Sequence, residues 1–247
     1  MKDSLSFFVQ NQENDQEEFM ELERYVVGPV GTNCYVLYHP AQHDCIVVDP
    51  GESGVAIGKR LLEKGYCPRA ILLTHGHFDH VSGVFDLQTF VAEHYEEFDL
   101  PGDPGEGHTH VLPAYILDKE KETLQDASIN LSYGMGGAPR DFSSVIDEYV
   151  TDGQELSIMG CKIKVIGTPG HTPGGCCYYL PIENYLFSGD TLFCQSVGRT
   201  DFPGGSTAQI VRSIREKLLV LPDHTRVYPG HDSETTIGYE KEYNPYA

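Results

Sequence analysis

Short apolar runs broken by Gly, Pro and Asn recur along this chain. Residues 25–27 (Tyr25-Val26-Val27), 34–38 and 45–48 are β-branched and aromatic, and Gly28-Pro29-Val30-Gly31-Thr32-Asn33 and His39-Pro40 divide them. That pattern predicts three strands joined by tight turns. Residues 53–65 carry Val55, Ile57, Leu61 and Leu62 at helical spacing and stop at Gly65, which predicts a helix. Ala70-Ile71-Leu72-Leu73 is a buried-strand run that ends abruptly in Thr74-His75, and 80–95 is helical in pattern. Residues 117–127 read as a polar helix and 128–145 as irregular. Strands return at 155–158, 161–167, 176–180 and 184–188, followed by a helix at 206–219 and a strand at 225–228. The order is β-rich, α, β-rich, α, an α/β chain with no internal repeat.

Two stretches fall outside this pattern. Residues 1–20 are polar and acidic (Glu13, Asp15, Glu17, Glu18) and read as an N-terminal extension. Residues 96–112 are acidic and rich in Gly and Pro, and read as an inserted surface loop that could cover a site as a lid. No apolar stretch approaches the ~20 residues of a membrane span, and the N-terminus has no secretory apolar core. With 17 Lys+Arg against 37 Asp+Glu the net charge is −20, which disfavours nucleic acid as a partner, because phosphate binding needs local cations. Seven cysteines without C-x-x-C spacing, two of them adjacent (Cys176, Cys177), point to a reduced, cytoplasmic protein.

The chemistry concentrates where strands end. His75-Gly76-His77-Phe78-Asp79-His80 places three imidazoles and a carboxylate within six residues of an apolar strand. These are standard donors for zinc and similar divalent ions. Four donors from one loop are too many for a single open ion that also draws ligands from elsewhere, so they suit two ions side by side. Three further strand ends show an apolar run, then Gly or Pro, then one donor: Pro169-Gly170-His171, Ser188-Gly189-Asp190 and Pro229-Gly230-His231. His39, His43, His94 and His224 read as ordinary surface histidines. His108-Thr109-His110 lacks a preceding strand, which argues against a ligand pair. Neither a nucleophilic Ser nor a Cys is supplied, since G-x-S-x-G is absent.

The H-x-H-x-D-H run, the T-P-G-H-T run at 168–172, the G-D pair at 189–190 and the P-G-H at 229–231 resemble the metallo-β-lactamase-fold hydrolases. Gly198-Arg199-Thr200-Asp201-Phe202-Pro203-Gly204-Gly205 and the tail from Thr235 to Tyr246 are similar to the glyoxalase II-like (hydroxyacylglutathione hydrolase-like) group. The resemblance implies a four-layer αββα sandwich over 21–247 with a dinuclear site at one edge. His75, His77 and His171 would hold one metal, Asp79, His80 and His231 the other, and Asp190 would bridge them. The cofactors implied are two divalent ions, zinc first, with iron or manganese as alternatives. Asp49 would support a ligand from behind. A hydroxide shared by the ions would attack an activated acyl group, a thioester first, with Asp79 orienting it. Arg199 is expected to anchor a substrate carboxylate, with a plain Arg199–Asp201 pair as the alternative. Tyr178 is expected near the thiol-substrate site, or else as a strand tyrosine. Long glyoxalase II enzymes add a basic helical region that binds glutathione. Only 16 residues follow His231 here, so the segment that binds glutathione in that group is missing and the resemblance does not imply glutathione as the thiol. The competing reading is a one-iron persulfide dioxygenase, and a homodimer is compatible with the sequence.

Overall fold

The computed structural model describes residues 20–100, 108–135 and 138–247. The chain begins with β1 (Glu21–Val27), β2 (Thr32–Tyr38) and β3 (Asp44–Val48), then α1 (Gly54–Lys64), β4 (Cys67–Leu72), α2 (Phe78–Val81) and α3 (Val84–Glu93). It continues through β5 (Ala114–Leu117), a 3₁₀ turn, α4 (Lys121–Gln125) and β6 (Glu148–Val150). The second half is β7 (Glu155–Ile158), β8 (Cys161–Gly167), β9 (Cys176–Leu180), β10 (Tyr185–Gly189), β11 (Leu192–Phe193) and β12 (Ser196–Val197). It ends with α5 (Thr207–Ser213) and its π-helical continuation, β13 (Arg226–Pro229), β14 (Thr235–Thr236) and α6 (Ile237–Tyr243).

Two six-stranded sheets result, ordered β1-β2-β3-β4-β5-β6 and β14-β13-β10-β9-β8-β7. Strand alternation builds the layers. Tyr35, Leu37, Ile46 and Val48 face inward and meet Ile163, Val165, Tyr178 and Phe187 of the other sheet. Their neighbours Cys34, Val36, Cys45 and Val47 face outward, onto Ile57 and Leu61 of α1 and Leu87 and Val91 of α3. On the far side, Ile166, Cys177, Leu186 and Val227 pack against Ile210, Ile214 and Ile237 of the other helical layer. The expected αββα sandwich is thus present, and both strand faces are apolar because both are covered. Among the described residues no helix is long and apolar enough to cross a membrane.

Several elements differ from the sequence reading. The helix expected over 80–95 is broken: Gly83 lies against Gly51, and a Cβ there would come within 2.7 Å of the Gly51 carbonyl. Val55 is exposed, so α1 packs through Gly54, Ile57, Gly58 and Leu61 instead. The polar helix expected from 117 starts four residues later, because 114–117 is a buried strand parallel to β4. The extension expected over 1–20 lies outside the described residues except for Met20, which is buried between the sheets. Of the stretch 96–112, residues 101–107 also lie outside it. Its described flanks are anchored in the core through Phe98 and Leu112. Phe98 stands beside Cys67 at the start of β4, where the Cys67 thiol donates to its carbonyl. That is the opposite strand end from Thr74-His75, so the described flanks do not place a lid over the site.

Candidate metal centre

Five chain segments deliver polar side chains to one edge of the sandwich. The β4 strand ends into Thr74-His75-Gly76-His77, and α2 starts immediately and turns Asp79 and His80 back toward the same point. From the second sheet, β8 leads to His171, β10 to Asp190 and β13 to His231. The edges are tied together: the Cys176 N–H at the start of β9 donates to the Thr74 carbonyl (2.9 Å), and Asn33 N–H to the Gly230 carbonyl (2.7 Å). Gly230 is needed for close approach, since a Cβ there would lie 2.3 Å from Asp190 Oδ1.

Three overlapping donor groups form, His75–His77–His171, His75–His80–Asp190 and Asp79–His80–His231, each with its donor atoms within 4.8 Å of one another. His77 Nδ1 lies 3.1 Å from His75 Nε2 and 2.9 Å from His171 Nε2. Asp190 sits between the groups: Oδ1 is 3.5 Å from His80 Nε2, while Oδ2 is 3.4 Å from His171 Nε2 and 3.6 Å from His231 Nε2. Asp79 Oδ2 stands 3.2 Å from His231 Nε2 and 3.5 Å from His80 Nε2, and accepts from the Thr32 hydroxyl at 2.9 Å.

Outer contacts fix which nitrogen faces inward. His171 Nδ1–H donates to the Arg199 carbonyl at 2.7 Å. His75 Nδ1 is 3.1 Å from Thr74 Oγ1, whose proton goes to Asp49 Oδ2 at 2.7 Å. Asp49 also accepts the Thr74 N–H (2.9 Å) and stands 3.0 Å from His80 Nδ1. Such carboxylate and carbonyl partners orient ligating imidazoles. With their outer nitrogens engaged, His75 and His171 turn lone pairs toward His77. Among the described residues, His80 Nε2 and Asp190 Oδ1 are buried without a hydrogen-bond partner. Facing lone pairs and orphaned polar atoms are costly on their own and fit bound cations.

Electrostatics point the same way. Burial, then the neighbouring imidazoles, hold His75 well below the usual imidazole range, and burial then His171 do so for His77. Burial opposes the cation of His80, but Asp79, Asp49 and Asp190 outweigh it and push its pKa up to about 10. Asp79 is driven well below the carboxylate range: its burial is overcome by His80, His231 and the Thr32 hydroxyl.

Two expectations fare differently. Tyr178 is fully buried between the sheets, and its hydroxyl donates to the Leu73 carbonyl at 3.0 Å. It stands behind the His75 loop, on the inner face of β9, and its substrate-contact role is corrected to a core role. The Arg199 guanidinium is exposed, grips Asp201 through two hydrogen bonds (2.9 and 2.7 Å) and lies 4.2 Å over the Phe202 ring. Only its backbone carbonyl reaches the centre. Phe202 itself stands edge-on to His77 and His171, with ring centroids 5.7 and 6.1 Å away. His110 and His108 instead pair with Asp147 and Glu148.

A two-sheet sandwich with such donors at one edge defines a metallohydrolase-type centre. The profile of the metallo-β-lactamase superfamily matches residues 27–231, and the chain belongs to that superfamily. It is 37% identical to "Probable metallo-hydrolase YqgX" of Bacillus subtilis over 92% of this chain and 97% of the relative. It is 30% identical to hydroxyacylglutathione hydrolase GloC of Haemophilus influenzae, over 92% and 98%. Among solved structures, BLEG-1 B3 metallo-β-lactamase shares 36% identity with a TM-score of 0.77, covering 92% of this chain and 99% of that one. The di-iron-bound form of TTHA1623 shares 31% with a TM-score of 0.71, over 91% and 100%. ETHE1 from Myxococcus xanthus, at 24% identity and TM-score 0.68 over 92% and 84%, shares the fold. The chain is thus a metallohydrolase with His/Asp metal-binding groups.

Proposed function

We propose that this enzyme hydrolyses a small thioester, with His75, His77 and His171 holding one divalent cation and Asp79, His80 and His231 a second. Asp190 lies between the two sets, and the position of its Oδ2 between His171 of the first and His231 of the second, with Oδ1 beside His80, is the observation that carries a dinuclear reading. Two divalent cations held by these residues would polarise a carbonyl oxygen and acidify water toward neutrality. The chain's own residues prepare the site. Thr32 fixes the Asp79 carboxylate so that its other oxygen can accept a proton from water, and the Arg199 carbonyl keeps the His171 Nε2 lone pair inward. Phe202 supplies an apolar wall on the His77–His171 side. Arg199 is the proposed carboxylate anchor. Its pair with Asp201 is exposed, and such pairs are worth little, so a substrate carboxylate can displace Asp201.

The likeness to GloC supports the thioester, and the likeness to BLEG-1 supports a lactam as the second reading. Nitrogen and oxygen donors suit zinc, while TTHA1623 is a precedent for iron. Seven unpaired cysteines, six of them buried, support a reducing cytoplasm. The test is metal quantification on protein purified without added metal, followed by thioester, lactone, lactam and persulfide assays. Two metals per chain with thioester turnover are expected. Asp190→Ala is expected to abolish turnover and reduce loading to one metal or fewer. Full activity at one metal per chain rejects the dinuclear reading, and oxygen uptake on a persulfide with one iron replaces it.

A further inference from the structure

Glu120 is a buried acid that the centre does not use. It lies in the 3₁₀ turn after β5 and is 0% exposed. Among the described residues no Lys, Arg or His pairs with it. Instead Oε2 accepts the Gly76 N–H at 2.7 Å and Oε1 accepts the Gly174 N–H at 2.7 Å. Gly76 is the residue between His75 and His77, on the first sheet. Gly174 belongs to the 171–175 turn that carries His171, on the second. One carboxylate therefore spans the two loops whose imidazoles approach to 2.9 Å across the sheets. Both loops approach Glu120 at glycine: a Cβ at Gly76 would meet its Oε2 at 3.0 Å, and one at Gly174 would lie 2.4 Å from the Lys119 carbonyl carbon. The Cys176–Thr74 hydrogen bond holds the base of the same pair of loops, which leaves their tips to Glu120.

A buried carboxylate without a basic partner is expensive, and burial pushes the Glu120 carboxyl up from its usual range. Apolar packing would hold the turn at lower cost. What the carboxylate adds is two-point acceptance: it fixes the distance between two amide groups on different sheets. We infer that Glu120 is a positioning residue that clamps the His75/His77 loop to the His171 loop and so sets the spacing of the three-imidazole site. This inference rests on reading that cluster as a metal site.

Glu120→Gln tests it, because the amide is isosteric but can accept from only one of the two N–H groups and presents its own donor to the other. Zn²⁺ affinity is measured by chelator competition, the Co²⁺-loaded form by its visible d–d spectrum, and the metal-free form by its melting temperature. The expected result is a metal-free protein that melts close to wild type, binds Zn²⁺ about tenfold or more weakly and shows an altered Co²⁺ spectrum. Glu120→Asp keeps the charge but loses the reach, and should fall between the two. Wild-type Zn²⁺ affinity and spectrum in either folded variant overturn the inference. Loss of folding in both also overturns it, because the role would then be general. A wild-type chain that binds no Zn²⁺ rejects the metal-site reading instead.

Discussion

Three of the five imidazoles at the centre are oriented by what the outer nitrogen touches: a carbonyl for His171, a hydroxyl backed by Asp49 for His75, and the Asp49 carboxylate 3.0 Å away for His80. The inward donors were legible in the sequence, since His75 to His80 crowd four ligand residues into one strand end and His171, Asp190 and His231 each follow Gly directly after an apolar run. Glu120 was not, because it lies in the run Asp118-Lys119-Glu120-Lys121-Glu122, and a Glu among alternating charges has the pattern of a solvated face. Only closure of two distant loops buries it. Tyr178 shows the opposite error, a site role inferred for a residue whose strand position points it inward. Tyr178→Phe removes a buried hydroxyl from the Leu73 carbonyl, so stability should fall by about 1 kcal/mol, read by denaturant unfolding. KM for the accepted substrate should not change, and a severalfold rise in KM would return the ring to the site.

At the scale of elements, the strands of the second sheet were legible because they alternate or run apolar for four to seven residues between turn signals. The short β6 and β14 were not, since two or three residues carry no period. The π-helical turn after α5 has no sequence signature either. The end of β8, which leads to His171, is pinned from outside. Asp152 accepts the Gly167 N–H at 2.8 Å and the Lys217 ammonium at 2.6 Å, and Lys217 also donates to the Gly167 carbonyl at 2.7 Å. Partial burial raises the Asp152 pKa, but Lys217 and the Gly167 N–H overcome this and hold it below its usual 3.8. A depressed folded-state pKa means the stabilisation is complete above the unfolded value and is lost as pH falls through the folded one. Wild type should therefore exceed Asp152→Asn in stability at pH 7, by about 0.5 kcal/mol given the exposure of the pair. The gap should close below pH 3.8. Thermal melts of both proteins across pH check this, and a gap that widens in acid would show that the pair acts in another way.

For the whole molecule, five imidazoles and two carboxylates drawn from both sheets converge on one edge of a chain whose net charge is −20. Without cations, the lone pairs around His77 face one another, and Asp79 and Asp190 add negative charge to a chain already in excess. Bound cations reverse both effects, and because their ligands come from both sheets they cross-link the sandwich at its functional edge. Ligand binding to the folded state alone adds about 2.7 kcal/mol at a free concentration of 100 Kd. For a domain of this size, that corresponds to a melting shift of about 5–10 °C. Chelator-stripped protein should melt lower by that order, and added Zn²⁺ should restore it in one cooperative transition. Binding requires neutral imidazoles, so the increment should shrink as pH falls from 7 to 5. Calorimetry of stripped and reloaded protein at both pH values measures it. A melting temperature indifferent to metal, in protein shown by elemental analysis to have lost and regained it, would mean that the two sheets hold this edge together without help from the centre.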